Sequence, residues 1–561
     1  MGRAGSHHLF SRPSPTRTMC GEGSNGRDGD CANAPPPREG LEFRGATVTS
    51  DWGQGYQVEI PYTAGFYAEL APSHLEFALL YAGSKVSLAR PGATYCELGC
   101  GYGLTTLILA ASNPQMSFVG VDFNPTHIVA ANALAASAQI ENVRFVEASF
   151  DELLEPRFAD LGQFDTIALH GIYSWIAPAL RRAIVDFAGS RLKTGGALYV
   201  SYNAAPGWMP RAPLQRLLFE HAKRSTAEPR TATADALRFC KALNDAGGFY
   251  FKSNPSVGRF LDDMEGTDLT YLAHEHLNES WSALYHADIV ADFAAARLSY
   301  ACAAHMGDDI EETSIPITAH SIMPGTADAV WRETVKDFLV GRSFRRDIFV
   351  RGSLKLTPAE RMKELDRTFM LIVPRSITTT KIRTPMGNVE GRGDVYSALF
   401  DLLAGGPRRL SQLLAQATGP AANPAALIQT LALLVDSGQV KTVRPDAGID
   451  PGPARRLNLA MARGIASGRV FRVMGAPAVG TAVPAELSDF GLALAVDKGL
   501  GLDATSIARA TWEMIENTSI RPTRDGKLLD RDSEVLEYLT QAAERLLREK
   551  LGILKILGIL A

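Results

Sequence analysis

The stretch Glu97-Leu98-Gly99-Cys100-Gly101-Tyr102-Gly103 sets three glycines at alternate positions between two apolar runs. Lacking a Cβ, Gly99, Gly101 and Gly103 can turn the backbone tightly and bring it close to a ligand. A dinucleotide-binding loop would carry its third glycine at position 104, where Leu104 stands, and would seat a pyrophosphate on the next helix N-terminus. Glu97 adds a negative charge beside the loop, which repels a pyrophosphate and suits the cationic methionine end of S-adenosylmethionine. The spacing therefore predicts that Glu97, Gly99, Cys100, Gly101 and Gly103 hold S-adenosylmethionine, and that the chemistry is methyl transfer.

Asp122 closes the apolar run Ser117 to Asp122, at the distance from the glycines where a carboxylate can accept hydrogen bonds from both ribose hydroxyls. Phe123 is expected to flank the adenine, and Ser149 and Phe150 to meet its edge. After a further run, Phe164 to Leu169, comes His170-Gly171-Ile172-Tyr173-Ser174-Trp175. Ligands of open α/β sheets sit outside the carboxyl ends of the strands, so this segment should face the reactive methyl group. Tyr173 and Trp175, with Tyr202 and Trp208 behind them, can offer aromatic faces to a cation, and His170 can act as a base or fix the loop. The run His274-Glu275-His276 with His286 invites a metal reading. Asn278 occupies the place of the second histidine of HExxH and no cysteine lies near, so the run reads as a solvated helix face and no metal is expected.

The elements needed to position these residues alternate along the chain. Thr94 to Leu98, Ser117 to Asp122, Val143 to Glu147, Phe164 to Leu169 and Ala197 to Tyr202 read as strands; Leu104 to Ser112, Pro125 to Ala138 and Arg181 to Leu192 read as helices. That order predicts an α/β, Rossmann-like doubly wound sheet. Five parts follow: a disordered segment over 1–45, the cofactor-binding domain over 46–228, a mainly helical domain over 229–315, a connecting region over 316–394, and a C-terminal domain over 395–561. From Val395 three short helical runs lead to Val440–Val443, read as a hairpin arm, an α+β order like that of a winged helix. The ending Glu544 to Ala561 is amphipathic, too short to span a bilayer, and expected to pack on the preceding helices.

At 561 residues, with 46% hydrophobic and 21% charged, the chain has the composition of a soluble multidomain protein without an apolar run long enough for a membrane span. Its net charge of -4 disfavours a nucleic-acid partner. Six scattered cysteines without a CxxC pair argue against a zinc ribbon or disulfide framework and point to a reducing cytoplasm.

With Tyr56 to Tyr62, the Glu97 to Gly103 loop, His170 to Trp175, Tyr202-Asn203 with Pro206-Gly207-Trp208, Tyr271 to Leu277, Phe344-Arg345-Arg346 and the ending Leu557 to Leu560, the chain resembles the bacterial class I methyltransferases that carry a methyltransferase regulatory domain, a group that includes rickettsial protein-lysine methyltransferases. The resemblance covers most of the chain after Val48. It implies a Rossmann-like catalytic domain, a middle regulatory domain, a C-terminal domain with winged-helix character, and a protein lysine as acceptor. Position 149 is Ser where many class I enzymes have an acidic partner for adenine. A small metabolite as acceptor is the alternative, and a cofactor-sensing regulator without catalysis ranks last, because Asn423 to Ser437 contains no Lys or Arg to serve a DNA-binding helix.

Overall fold

The computed structural model describes residue 56 and residues 65–325, 327–445, 449–524, 527–529 and 531–560. The expectation of disorder over 1–45 lies outside these residues. The central element is a seven-stranded sheet of β1 (Thr94–Leu98), β2 (Ser117–Asp122), β3 (Val143–Glu147), β4 (Phe164–Leu169), β5 (Leu192–Asn203), β6 (Ser299–Ala303) and β7 (Phe344–Val350), in the order β3-β2-β1-β4-β5-β7-β6. The first five strands run parallel; β7 is antiparallel to both β5 and β6. β4 is buried along its whole length, as expected of a central parallel strand with helices on both faces.

The expected helices fall into place as α1 (Leu104–Ser112), α2 (Pro125–Ser137) and α3 (Pro178–Arg191). Gly103 begins α1 in a left-handed conformation, φ 69°. The Asn124 side-chain Oδ1 accepts from Thr126 N and Pro125 takes the first turn of α2, where its missing N–H is no loss. Between β5 and β6 the chain makes a helical excursion that includes α4 (Ala212–Ala222), α5 (Pro229–Asp245), α6 (Pro255–Asp263), α7 (Leu269–His276) and α8 (His286–Ala294). β6 and β7 themselves lie in the stretches that sequence patterning reads as a helical domain and a connecting region. The basic run Phe344-Arg345-Arg346 is the start of β7. Its Arg345 is buried and paired with Glu333, Asp337 and Asp347, while the Asp347 carboxylate also accepts from the Tyr202 hydroxyl at 2.7 Å.

Beyond the sheet, β8 (Thr368–Leu371), α9 (Gly393–Ala404), β9 (Arg408–Arg409), α10 (Leu410–Gln416), α11 (Pro424–Asp436) and β10 (Val440–Val443) form a unit whose three strands are ordered β9-β8-β10. Val440–Val443 is no hairpin arm: it pairs antiparallel with Thr368–Leu371, some seventy residues earlier. The C-terminal helix Gly452–Ile465 and the hairpin Val473–Pro484 pack on α1, the helix behind the glycine loop. Ser112 Oγ donates to Thr481 O at 3.2 Å and Asn113 Nδ2 to Gly480 O at 2.9 Å. The ending folds back as expected, burying Leu554, Leu557, Ile559 and Leu560. No helix of the described residues is long and apolar enough to cross a membrane.

Candidate active site

Two clefts meet at the carboxyl ends of the sheet strands. The first is bounded by the ends of β1, β2, β3 and β4 and is lined by Glu97, Gly99, Cys100, Gly101, Asp122, Phe123, Ser149, Phe150, His170 and Trp175, with Tyr56, Tyr67, His127 and Ile172. The glycine loop is anchored to β2, since Gly99 N and Cys100 N both donate to Val121 O, at 2.8 and 2.9 Å. Asp122 organises it from the other side. Its Oδ2 accepts from Gly101 N at 2.8 Å, while its Oδ1 accepts from Asn124 N at 2.9 Å and lies 3.1 Å from His127 Nδ1.

The three glycines do different work. A Cβ on Gly101 would meet nothing within 4 Å, so this residue faces the open cleft. One on Gly99 would strike Ile172 Cδ1 at 2.6 Å. Gly103, expected among the cofactor-binding residues, does not line the cleft; a Cβ there would lie 2.7 Å from Phe145 Cζ and 2.8 Å from Ala131 Cβ. It is required for the close packing of α1 on α2 and β3, not for ligand approach.

Glu97 is 4% exposed and accepts a hydrogen bond from the Thr106 hydroxyl. Burial, with the Asp122 charge adding to it, pushes its carboxyl up to about 7. Among the described residues no Lys or Arg lines this cleft. Two carboxyl groups without a facing cation make a site for a positively charged ligand and a poor one for phosphates. Cys100 shares the cleft with its thiol driven well above the ordinary range by burial, which rules it out as a nucleophile at neutral pH. The Ser149 hydroxyl is turned to Asp151 Oδ1, 2.7 Å, and Glu152 Oε2, 3.0 Å.

The second cleft, about 450 Å³, shares Tyr67, His170, Gly171 and Trp175 with the first and continues past Tyr202, Asn203, Trp208, Phe260, Tyr271, Glu275 and Phe344. Trp175 thus stands on the boundary of the two. Tyr173 does not. Its ring packs 5.6 Å from Phe293 in the core beneath α3 and α8, and its hydroxyl donates to Asp292 Oδ2 at 3.2 Å, because the chain turns directly after β4, where Trp175 N donates to Ile172 O at 2.9 Å. His170 Nδ1 lies 2.8 Å from the Tyr199 hydroxyl and its ring 3.9 Å from that of Tyr67. Burial holds it down to about 4, so it is neutral and a poor base at physiological pH.

The run His274-Glu275-His276 is not a solvated face. All three residues are buried, and the last two line the second cleft. Among the described residues no cluster of His, Cys, Asp and Glu is able to hold a metal ion. Sequence reasoning named Tyr56 only within a motif and missed Tyr67 and Glu275 as lining residues; the apolar character of α7 around Glu275 was the available signal.

A family model described as a methyltransferase domain matches residues 89–245, and one described as a predicted methyltransferase regulatory domain matches residues 268–351. An uncharacterized protein of Synechocystis is 33% identical over 514 residues, covering 91% of this chain and 99% of that one. The chain belongs to the class I S-adenosylmethionine-dependent methyltransferases that carry a regulatory domain. An uncharacterized protein of Rickettsia prowazekii is 27% identical over 301 residues, 53% of each chain. The solved structure of PKMT2 from Rickettsia typhi in complex with AdoHcy superposes with a TM-score of 0.64 at 19% identity, over 87% of this chain and 99% of that one, which is a likeness of fold. In this methyltransferase the regulatory-domain match runs from α7 through β7, so it supplies both the last two strands of the catalytic sheet and one wall of the second cleft.

Proposed function

We propose that this methyltransferase transfers the methyl group of S-adenosylmethionine to the side-chain amine of lysine in a protein. The observation that carries the reading is the second cleft, an aromatic passage that joins the cofactor cleft at His170, Gly171 and Trp175 and is lined by the buried carboxyl of Glu275. A lysine suits such a passage: its apolar stem packs along rings while its cation is attracted to ring faces and a carboxylate. The fold shared with PKMT2 of Rickettsia typhi agrees with this reading.

In the first cleft, Glu97 and Asp122 supply the negative charge that receives a cationic ligand, Gly101 leaves room for it, and Phe123 and Phe150 flank its adenine. Cys100 and Ser149 border the site through backbone and packing rather than through reactive groups. Bound there, S-adenosylmethionine supplies an electrophilic methyl group on a sulfonium. Trp175 and Tyr67 exclude water where the clefts meet and hold the acceptor in line, and such alignment contributes up to about 7 to 11 kcal/mol. Neutral His170 adds no charge that would repel an amine where the two clefts meet.

Incubation of the purified protein with methyl-labelled S-adenosylmethionine and bacterial total protein, with mass spectrometry of both protein digests and small-molecule extracts, tests the reading. Methyllysine in digests is the expected result; label confined to small molecules would overturn it.

A further inference from the structure

Glu275 is the buried carboxylate of the second cleft. Asp263, the other acid lining it, is exposed. α7 is capped by Asp268, whose side chain accepts from Thr270 N at 2.6 Å and Tyr271 N at 3.2 Å, and this fixes the face that α7 turns to the cleft. Tyr271 and Glu275, four residues apart, lie on that face. Asn203, the last residue of β5, donates Nδ2 to Glu275 Oε1 at 3.1 Å, and the Tyr271 hydroxyl stands 3.5 Å from Oε2. No Lys or Arg of the described residues pairs with Glu275. An acid this buried is ordinarily matched by a cation, so the position is built for a positive charge brought by something else. The carboxyl also lies close to the cofactor cleft. Tyr56, with its ring 6.3 Å from that of Trp175 and 5.9 Å from that of His274, is near enough to feel the charges of both Asp122 and Glu275.

We propose that Glu275 receives the acceptor amine as its cation and takes one proton from it before methyl transfer. This rests on the lysine reading above and names the group that prepares the nucleophile. An N–H bond of the ammonium breaks, the electron pair stays on nitrogen, and the proton goes to a Glu275 carboxylate oxygen. The freed pair then forms the N–CH3 bond as the S–CH3 bond breaks and its electrons remain on sulfur. The products are a methylammonium, a neutral thioether and a protonated Glu275, which returns its proton to water once the cleft opens.

The titratable and charged groups that line this cleft with Glu275 are Tyr67 from the N-terminal segment, Tyr271 and His276 on α7, His170 after β4, Tyr202 on β5, Arg346 on β7, and Arg211 and Asp263, while Tyr56 is near enough to feel the Glu275 charge. Burial holds His170 and His276 down to about 4, and raises the phenols of Tyr56 and Tyr271. Burial pushes Glu275 itself up to about 7, toward the range of the amine it serves. Glu97 is raised to a similar value but faces the cofactor. Saturation with cofactor removes any effect of Glu97 on binding, and disappearance of a pH limb with Glu275 alone assigns it.

The test uses the full chain, saturating methyl-labelled S-adenosylmethionine, bacterial total protein as acceptor, and methyllysine formation from pH 6 to 9. The wild type should rise along an acid limb with a midpoint near 7. Glu275→Gln should lose on the order of a hundredfold in rate and lose the limb, while Glu275→Asp keeps the limb and recovers part of the rate. Calorimetry should give all three the same cofactor affinity, which a merely misfolded variant would not. A Glu275→Gln rate near that of the wild type, or a persisting limb, would overturn the proposal and leave the lysine reading standing. A wild type that forms no methyllysine would overturn both.

Discussion

Replacing Gly101 and Gly103 separately by alanine should separate ligand binding from folding within one loop. Both residues hold positive φ, 54° and 69°, so each alanine bears a backbone strain of about 1–2 kcal/mol. At position 101 that is the whole effect on the fold, because a Cβ there meets nothing within 4 Å. At position 103 the methyl is forced between Phe145 and Ala131, at 2.7 Å from Phe145 Cζ and 2.8 Å from Ala131 Cβ, and overpacking adds about 1–3 kcal/mol. Gly103→Ala should therefore lose about 2–5 kcal/mol of stability in urea denaturation of the ligand-free protein. Gly101→Ala should lose no more than about 2 kcal/mol. Calorimetry with S-adenosylmethionine should show the reverse ranking, since the Gly101→Ala methyl enters the cleft: at least about a tenfold weaker affinity, or about 1.4 kcal/mol. Wild-type affinity in a folded Gly101→Ala protein, or wild-type stability of Gly103→Ala, would refute the assignment of binding to one glycine and packing to the other.

Asp122→Ala should weaken cofactor binding by about 1.5–3 kcal/mol, measured by calorimetry, because the loop loses the acceptor of Gly101 N as the ligand loses its carboxylate. Trp175→Ala should lower the methyl-transfer rate on the order of a hundredfold with cofactor affinity little changed, since Trp175 borders both clefts; equal loss of rate and affinity would make it a packing residue. Glu275 also predicts a pH dependence of stability. Burial raises its carboxyl from the ordinary 4.5 to about 7, so the folded chain keeps a proton that the unfolded chain has released, and stability falls as pH rises through that window. Glu275→Gln stays neutral throughout, and should match the wild type near pH 4.5 and exceed it by up to about 3 kcal/mol at pH 8 in urea denaturation.

The run of strands from Thr94 to Tyr202 was legible because each is a short, largely apolar segment alternating with helical ones, and such patterns are local. The same locality made the Glu97 to Gly103 loop and Asp122 legible as parts of one site, since both close neighbouring parallel strands. β6 and β7 were not. Phe344-Arg345-Arg346 does not read as a strand, because nothing local announces that Asp347, Asp337 and Glu333 will pair with its buried arginine. Side-chain direction escaped for the same reason: Tyr173 and Trp175 sit two residues apart in one motif, yet one packs against Phe293 and the other borders the clefts. Glu275, in a run that looks solvated, is buried only because α7 is set against the end of β5, where Asn203 meets it. Sequence by itself determined the five parallel strands, the glycine loop and the acidic residues of the cofactor cleft, because backbone permissiveness and hydrophobic period are properties of neighbouring residues. Only the tertiary structure decided which glycine faces ligand, where the sheet ends and which carboxyl waits in the second cleft, because burial and charge pairing are set by residues far apart in the chain.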